Sequence, residues 1–420
     1  MKSAIVKAVA VATGLLLSVA ACGSGDDPAT TADGKTVLTI SLWNYASTPE
    51  FQALVTGFEA DNPTIKIKPV DILADTYAEK LTTMLAGGDQ TDVLTMKNVI
   101  DYARYANRGQ LATLTDEVAK TDPAKYRGLD AFKINGEYFA LPYRQDFWVL
   151  YYNKALLKDS GADLSNLTWQ QYAQLAKSLT KGTGASQVYG TYQHIWRSVI
   201  QAVAAAQTNG NLLGGDYAFL HDQYTMALDL QKSGATLPWA TASTQKVTYD
   251  TMFSTGKAAL LPMGTWYSAK LLVDKAAGKT TIDWGIAPMP QIAAGPVATF
   301  GSPTAFAVNK KAKNAAAART FVDWASGPKG ALTLAKLGLY PSYTDDAVLA
   351  AYGAVQGMPA DPVAKKAFVP DRVALEMPVS DKSSDVDKIL TEEHELIMVG
   401  EKTIDAGLAE MGSRVKSEVG

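Results

Sequence analysis

Residues 37–107 alternate strand-like with helix-like runs, and that order constrains the fold more than any other feature of the chain. Residues 37–43 (VLTISLW) mix β-branched and apolar side chains and read as a strand. Ser47, Thr48, Pro49 and Glu50 then read as a helix start: a hydroxyl to cap free amides, Pro for the first turn, and a carboxylate to complement the dipole. Phe51, Leu54, Val55 and Phe58 recur at helical spacing up to Asn62-Pro63. Residues 65–70 (IKIKPV) alternate as a half-exposed strand. A helix over 75–86, a strand over 92–96 and a helix over 99–107 repeat the pattern. Such spacing predicts an α/β sheet with parallel strands, and ligands of such sheets bind beyond the carboxyl ends of the strands. Trp43-Asn44 and Lys97-Asn98 stand at two of those ends.

Further along, residues 136–143 (GEYFALPY) read as a short strand pair leading into a crossing segment, and 148–153 (WVLYYN) as an aromatic strand. Thr168 and Gln171 have capping-box spacing. Helices are expected over 194–207, 217–232, 246–256 and 312–326, with buried strands over 259–263 and 283–290 and two amphipathic helices over 385–418.

The amino terminus carries Lys2 and Lys7, an apolar stretch from 8 to 19, and then Val19-Ala20-Ala21-Cys22. This layout is that of a secretory signal, and its core is shorter than the ~20 apolar residues a membrane-spanning helix needs. Cys22 is the sole cysteine of the chain. The stretch resembles a bacterial lipoprotein signal with its lipobox. That resemblance implies removal of residues 1–21 and a lipid anchor on Cys22, at the extracytoplasmic face of the cell membrane. The alternative is a plain secretory signal with Cys22 an ordinary thiol. Residues 22–36 are a flexible linker rich in Gly, Ser, Asp, Pro and Thr. With one cysteine, no disulfide stabilises the mature chain.

What remains is too long for one ordinary core, so two domains are expected. The formal charge of −3 has no basic patch behind it, which argues against nucleic acid. Three scattered histidines lack zinc-site spacing, so no metal and no cofactor is expected. No GxSxG elbow or phosphate loop occurs. Eight Trp and nineteen Tyr supply flat faces for packing or for stacking on a ligand.

Four stretches carry a resemblance to the extracellular solute-binding proteins of ABC importers, in their carbohydrate-binding, maltose-binding-protein-like group. They are LTISLWN (38–44) with FEADNP (58–63); LAGG (85–88) with TDV (91–93); GEYFALP (136–142), YYNK (151–154) and Thr168-Trp169; and FSTGKAA (253–259) through Gly264-Thr265-Trp266. The resemblance spans essentially the whole mature chain. It implies an α/β, two-lobed periplasmic-binding-protein-like fold with a hinge and an interlobe ligand cleft. One lobe would hold 37–142 with 291–330, and the other 143–290 with 331–420.

The resemblance also implies site residues. Trp266 matches a Gly-x-Trp whose indole stacks on a sugar ring; the alternative is a core indole. Trp43 and Asn44 match the loop after the first strand, although Trp43 alternatively packs under a helix. Asp146 stands where relatives place a carboxylate for sugar hydroxyls, or it pairs with Arg144 at the hinge. Trp148 belongs to the same wall or to the core. Gln193, His194 and Trp196 match a loop lining the second lobe. Lys97 and Asn98 are ligand groups or ordinary loop residues, and Asp92 is structural. Gly301 and Ser302 resemble a Gly-Gly-[Ser/Thr] turn, with Ser302 replacing the second glycine. Tyr340 and Arg372 are further candidates. The implied function is a monomeric, non-enzymatic receptor that hands a mono- or oligosaccharide to ABC permease subunits. A secreted polysaccharide-active enzyme and a receptor for a peptide or polyamine are the alternatives.

Overall fold

The computed structural model describes residues 30–420, so the signal and Cys22 lie outside the described residues. The β-rich part begins with β1 (Thr36–Trp43), β2 (Ile65–Ile72) and β3 (Val93–Met96). β1 lies between the other two and pairs in parallel with both, as the alternation predicts. Helix Pro49–Asp61 joins β1 to β2 and buries Phe51, Leu54, Val55 and Phe58. Its start differs from the expected cap. The Thr48 hydroxyl donates to the carbonyls of Trp43 and Asn44, and Glu50 turns inward to 3% exposure. Asp92 is structural as expected. Its carboxylate accepts from Thr39 N–H, the Thr39 hydroxyl and Asn314 N–H at 2.7–2.9 Å, tying β1 to the segment before helix Ala315–Ser326.

A small ribbon, β4 (Lys133–Ile134) and β5 (Glu137–Tyr138), precedes the long strand β6 (Leu141–Asn153). Then follow β7 (Tyr189–Thr191), β8 (Ala258–Gly264), β9 (Trp284–Ala287), β10 (Ala298–Val308) and β11 (Arg372–Leu375). The strand order is β2-β1-β3-β10-β6-β8-β7, with β11 on β10 and β9 on β6. The all-parallel expectation fails beyond β3. β10 runs antiparallel to β3 and to β6, and β8 and β9 run antiparallel to β6. Alternation reports only local crossovers; these pairings join segments more than a hundred residues apart.

β6 is shared between two halves of the sheet. Residues 141–147 pair with β10, and 148–153 pair with β8 and β9. The change of partner falls at Phe147/Trp148. Twelve of the thirteen residues of β6 are buried, so it reads as a continuous apolar run even though it carries Arg144 and Asp146. Gly301 lies within β10, not in a turn. A Cβ there would stand 2.1 Å from the Asp146 carbonyl oxygen, so the bare glycine permits the close crossing of β10 over β6.

The capping box at Thr168 and Gln171 forms as expected, opening helix Trp169–Leu179. The helix expected from 194 begins instead at Gln201, after a loop and a short 3-10 turn at Arg197–Val199. That loop leaves residues 192–196 extended past the end of β7. Helices His221–Lys232, Ser383–Met398 and Ile404–Arg414 enclose a separate core cluster of Tyr217, Leu220, Tyr224, Ile389, Leu390 and Ile397. Among the described residues, no helix is long and apolar enough to cross a membrane.

Candidate ligand-binding site

The sheet brings three groups of residues around the Phe147/Trp148 crossover. The floor is the paired stretch of β6 and β10, where Asp146 is in register with Ser302 and Phe147 with Gly301. Arg144 lies at its centre. Its guanidinium makes ion pairs with Glu50 (3.0 Å) and Asp146 (3.2 Å), and all three groups are under 10% exposed. The Tyr143 hydroxyl donates to Glu50 at 3.0 Å and the Thr265 hydroxyl to Asp146 at 2.9 Å. Burial raises both carboxyl pKa values, opposed by the Arg144 charge. One cation thus faces two carboxyl groups, and the network binds helix Pro49–Asp61, the crossover and the β8 loop together. Asp146 thus pairs with Arg144.

The first wall follows β1 and β3. Trp43 is buried (8% exposed), packed edge-on against Phe51 and Tyr77. Lys97 and Arg144 lie 5.6 and 5.9 Å from its ring centroid. Asn44 adopts the left-handed conformation (φ 46°), and its side-chain oxygen accepts from Ala74 N–H at 3.1 Å. Asn98 uses its side chain on the backbone N–H of Ile100 at 3.0 Å. Lys97 is the more open group chemically. Its ammonium donates to the Ala74 carbonyl at 2.8 Å, and among the described residues no carboxylate lies within 4.0 Å of it. Burial lowers its pKa.

The opposite wall is aromatic. Trp148 is buried, stacked on Phe300 at 4.9 Å and edge-on to Trp266 at 5.8 Å. Trp266 is partly exposed and lies 6.4 Å from Trp196, which is 37% exposed. Trp266 rests over Gly264, where a Cβ would stand 1.8 Å from the indole. This is the physical content of the Gly-x-Trp motif: glycine vacates the space that the indole fills. His194 packs against Trp196 (4.4 Å) and Tyr249 (5.3 Å), and burial lowers its pKa to about 4, so it is neutral at physiological pH. Gln193 is buried with neither side-chain amide atom hydrogen-bonded.

Other expected residues lie elsewhere or differently. Ser302 is partly exposed on the floor beside Asp146. Tyr340 is 6% exposed, packed between Phe147 and Tyr352 with the Arg127 guanidinium over its ring. Arg372 is exposed at the start of β11, bonded to Asn209, which ends helix Gln201–Thr208. Sequence reading missed Glu50, Tyr249 and Glu376. Glu376 follows β11, donates its N–H to Gly301 O at 3.0 Å, and faces Arg197, Asp387, Ser198 and Lys97, with burial raising its pKa. No local motif marks these three; pairing between distant segments brings them in. A separate groove of about 610 Å³ lies beside Tyr217, His221, Leu408 and Lys416, and none of the expected site residues borders it.

Aromatic faces, buried hydrogen-bonding groups and a floor where two strands cross are features of a site for a small solute. The family model for bacterial extracellular solute-binding proteins matches residues 45–332, and this chain belongs to that family. A sugar transporter from Rhizobium etli, solved in an open conformation, is similar over 91% of this chain and 99% of its own, at 32% identity and TM-score 0.75. An ABC substrate-binding protein of Listeria monocytogenes, solved with cycloalternan, is similar over 91% of this chain and 99% of its own, at 22% identity and TM-score 0.78. The maltodextrin-binding protein of Bacillus subtilis is 24% identical over 333 residues, 77% of each chain. The fold is accordingly the two-lobed one that the sequence resemblance implied.

Proposed function

We propose that this protein captures a mono- or oligosaccharide between its lobes and delivers it, unaltered, to the permease of an ABC importer. The observation that carries this reading is the indole surface of Trp196 and Trp266 beside the charged floor at Asp146. A pyranose has an apolar face of C–H groups for an indole and hydroxyls for carboxylate, amide and ammonium groups. The sugar-binding names of the relatives support the same ligand class. Trp43, Asn44, Asn98, Trp148, Gln193, His194, Ser302, Tyr340 and Arg372 complete the proposed ligand set, with Trp196, Trp266, Lys97 and Asp146 at its centre. Trp43 and Trp148 would act chiefly by supporting the walls.

The lobes would be 37–142 with 291–330 and 143–290 with 331–420. Where β6 changes partners at 147/148, with β10 crossing beside it, is the natural pivot. Closure is an equilibrium that the sugar shifts by binding the closed arrangement better. A lipid anchor on Cys22, after cleavage of residues 1–21, would hold the receptor outside the cytoplasmic membrane, and two acyl chains suffice for stable anchoring.

The test is a thermal-shift screen of the purified protein against maltodextrins, hexitols, pentose oligomers, a peptide mixture and polyamines. A sugar should raise the melting temperature by mass action. A response only to peptides or polyamines overturns the ligand class. New reducing ends after incubation with the oligosaccharide overturn the receptor role in favour of an enzyme.

A further inference from the structure

Outside the sugar cleft, the two lobes touch through charged groups. Ile100, Asp101, Arg104 and Asn107 lie just after Lys97 on or before helix Tyr102–Asn107. That helix belongs to the first core: Tyr102 donates to Phe132 O and packs on the Phe132 ring, and Tyr105 bonds Thr82. Across from it stands the start of helix Ser383–Met398, whose Val386, Ile389 and Leu390 belong to the second core cluster. The Arg104 guanidinium pairs with Asp385 at 2.7 Å, the Asn107 amide donates to Asp381 at 2.6 Å, and Ile100 packs against the second cluster. Arg104, Asn107, Asp381 and Asp385 are polar and belong to neither core cluster.

We propose that these residues form an interlobe latch that closes together with the cleft and tightens as the medium acidifies. The latch rests on the reading that the lobes move about the β6/β10 crossover and that sugar favours the closed arrangement.

The acid response follows from Asp101. Its carboxyl is partly buried against Ser384, Asp385 and Asp387 of the facing helix, with Arg104 and Tyr105 on its own helix. Asp387 is itself engaged by Arg197, at 2.6 Å from its Nε. Burial first and Asp387 second raise the Asp101 pKa to about 6. Separating the lobes returns the carboxyl to water and to its ordinary value near 3.8. The latched state therefore binds the proton more tightly, so the latch gains as pH falls through 6 and loses as pH rises through it. Between pH 7 and pH 5 these two values shift the latch equilibrium by about ninefold at most. Glu50, Asp146 and Glu376 are other buried carboxyls whose pKa values are raised, so a pH profile alone does not isolate Asp101.

The experiment isolates it with Asp101→Asn, an uncharged isostere of the protonated side chain. Sugar affinity is measured by calorimetry at pH 7 and pH 5 for both proteins, using the sugar with the largest thermal shift. The wild type should bind up to about ninefold tighter at pH 5. The variant should already bind more tightly at pH 7 and lose that part of the pH response. Arg104→Gln and Asp385→Asn should each weaken binding, and the double variant should weaken it by less than the product, with a coupling of about 1.5- to 5-fold. A ligand-free readout separates this proposal from the sugar reading: small-angle scattering at pH 7 should give a smaller radius of gyration for Asp101→Asn than for the wild type. Equal radii, or an additive Arg104/Asp385 cycle, overturn the latch even if sugar binds. Absence of any sugar response with the predicted radius change overturns only the ligand class.

Discussion

Replacing Arg144 with methionine should expose what the crossover network contributes. Methionine keeps an apolar stem beside Trp43 and Tyr143, so the change removes chiefly the charge. Glu50 and Asp146, each 3% exposed, then face each other with no cation between them. Removing one partner of a buried ion pair costs about 3–5 kcal/mol, because an uncompensated charge remains in the interior. Two carboxylates here depended on one guanidinium, which favours the upper part of that range. The sign with pH is fixed. Burial already raises both carboxyl pKa values, and loss of Arg144 raises them further. The folded variant then binds more protons than the unfolded chain, so its stability falls as pH rises through those values and recovers on acidification. Urea unfolding followed by circular dichroism, at pH 7 and pH 5, measures both effects. The combined variant Glu50→Gln, Arg144→Met, Asp146→Asn should regain most of the loss at pH 7, since no buried charge is left unpaired. A deficit below about 1 kcal/mol for the single variant, or a deficit that grows at pH 5, would refute the reasoning.

Three further outcomes are expected. Trp266→Ala should weaken sugar binding by about 2 kcal/mol, roughly 30-fold, in calorimetry, while leaving the melting temperature of the unliganded protein nearly unchanged because the indole is partly exposed. Gly264→Ala should weaken binding as well without touching any polar group, since its methyl occupies the place of the Trp266 indole; unchanged affinity would show that the indole position is irrelevant. His194→Asn should leave the pH profile of binding between pH 5 and 8 unaltered, because an imidazole with pKa about 4 is already neutral there.

The sequence and the structure agree where the signal is local. The parallel β1–β3 core and the capping box at Thr168 could each be read from a few neighbouring residues, since each rests on local geometry: alternation, or a hydroxyl three residues before an amide. The crossover could not be read that way. The sequence suggests a crossing segment after 136–143 and a separate aromatic strand over 148–153; the structure joins them in the one strand β6, and only its pairing with β10 on one half and β8 on the other shows where it changes partners. Arg144, Glu50 and Asp146 form one network because helix Pro49–Asp61 and β6 are packed together over more than ninety residues of chain. Glu376 reaches the site for the same reason, through the pairing of β11 with β10. Apolar spacing also misplaced the helix start after β7. The Gln193–Trp196 stretch carries apolar and aromatic residues that suit a helix face, yet they are spent on the aromatic wall.

The most direct test of the account is a crystal structure with the sugar that gives the largest thermal shift. An intact sugar is expected between the two halves of the sheet, with a ring against the indole of Trp196 or Trp266 and hydroxyls toward Asp146 and Lys97. A sugar bound away from these indoles, or one found cleaved, would contradict it.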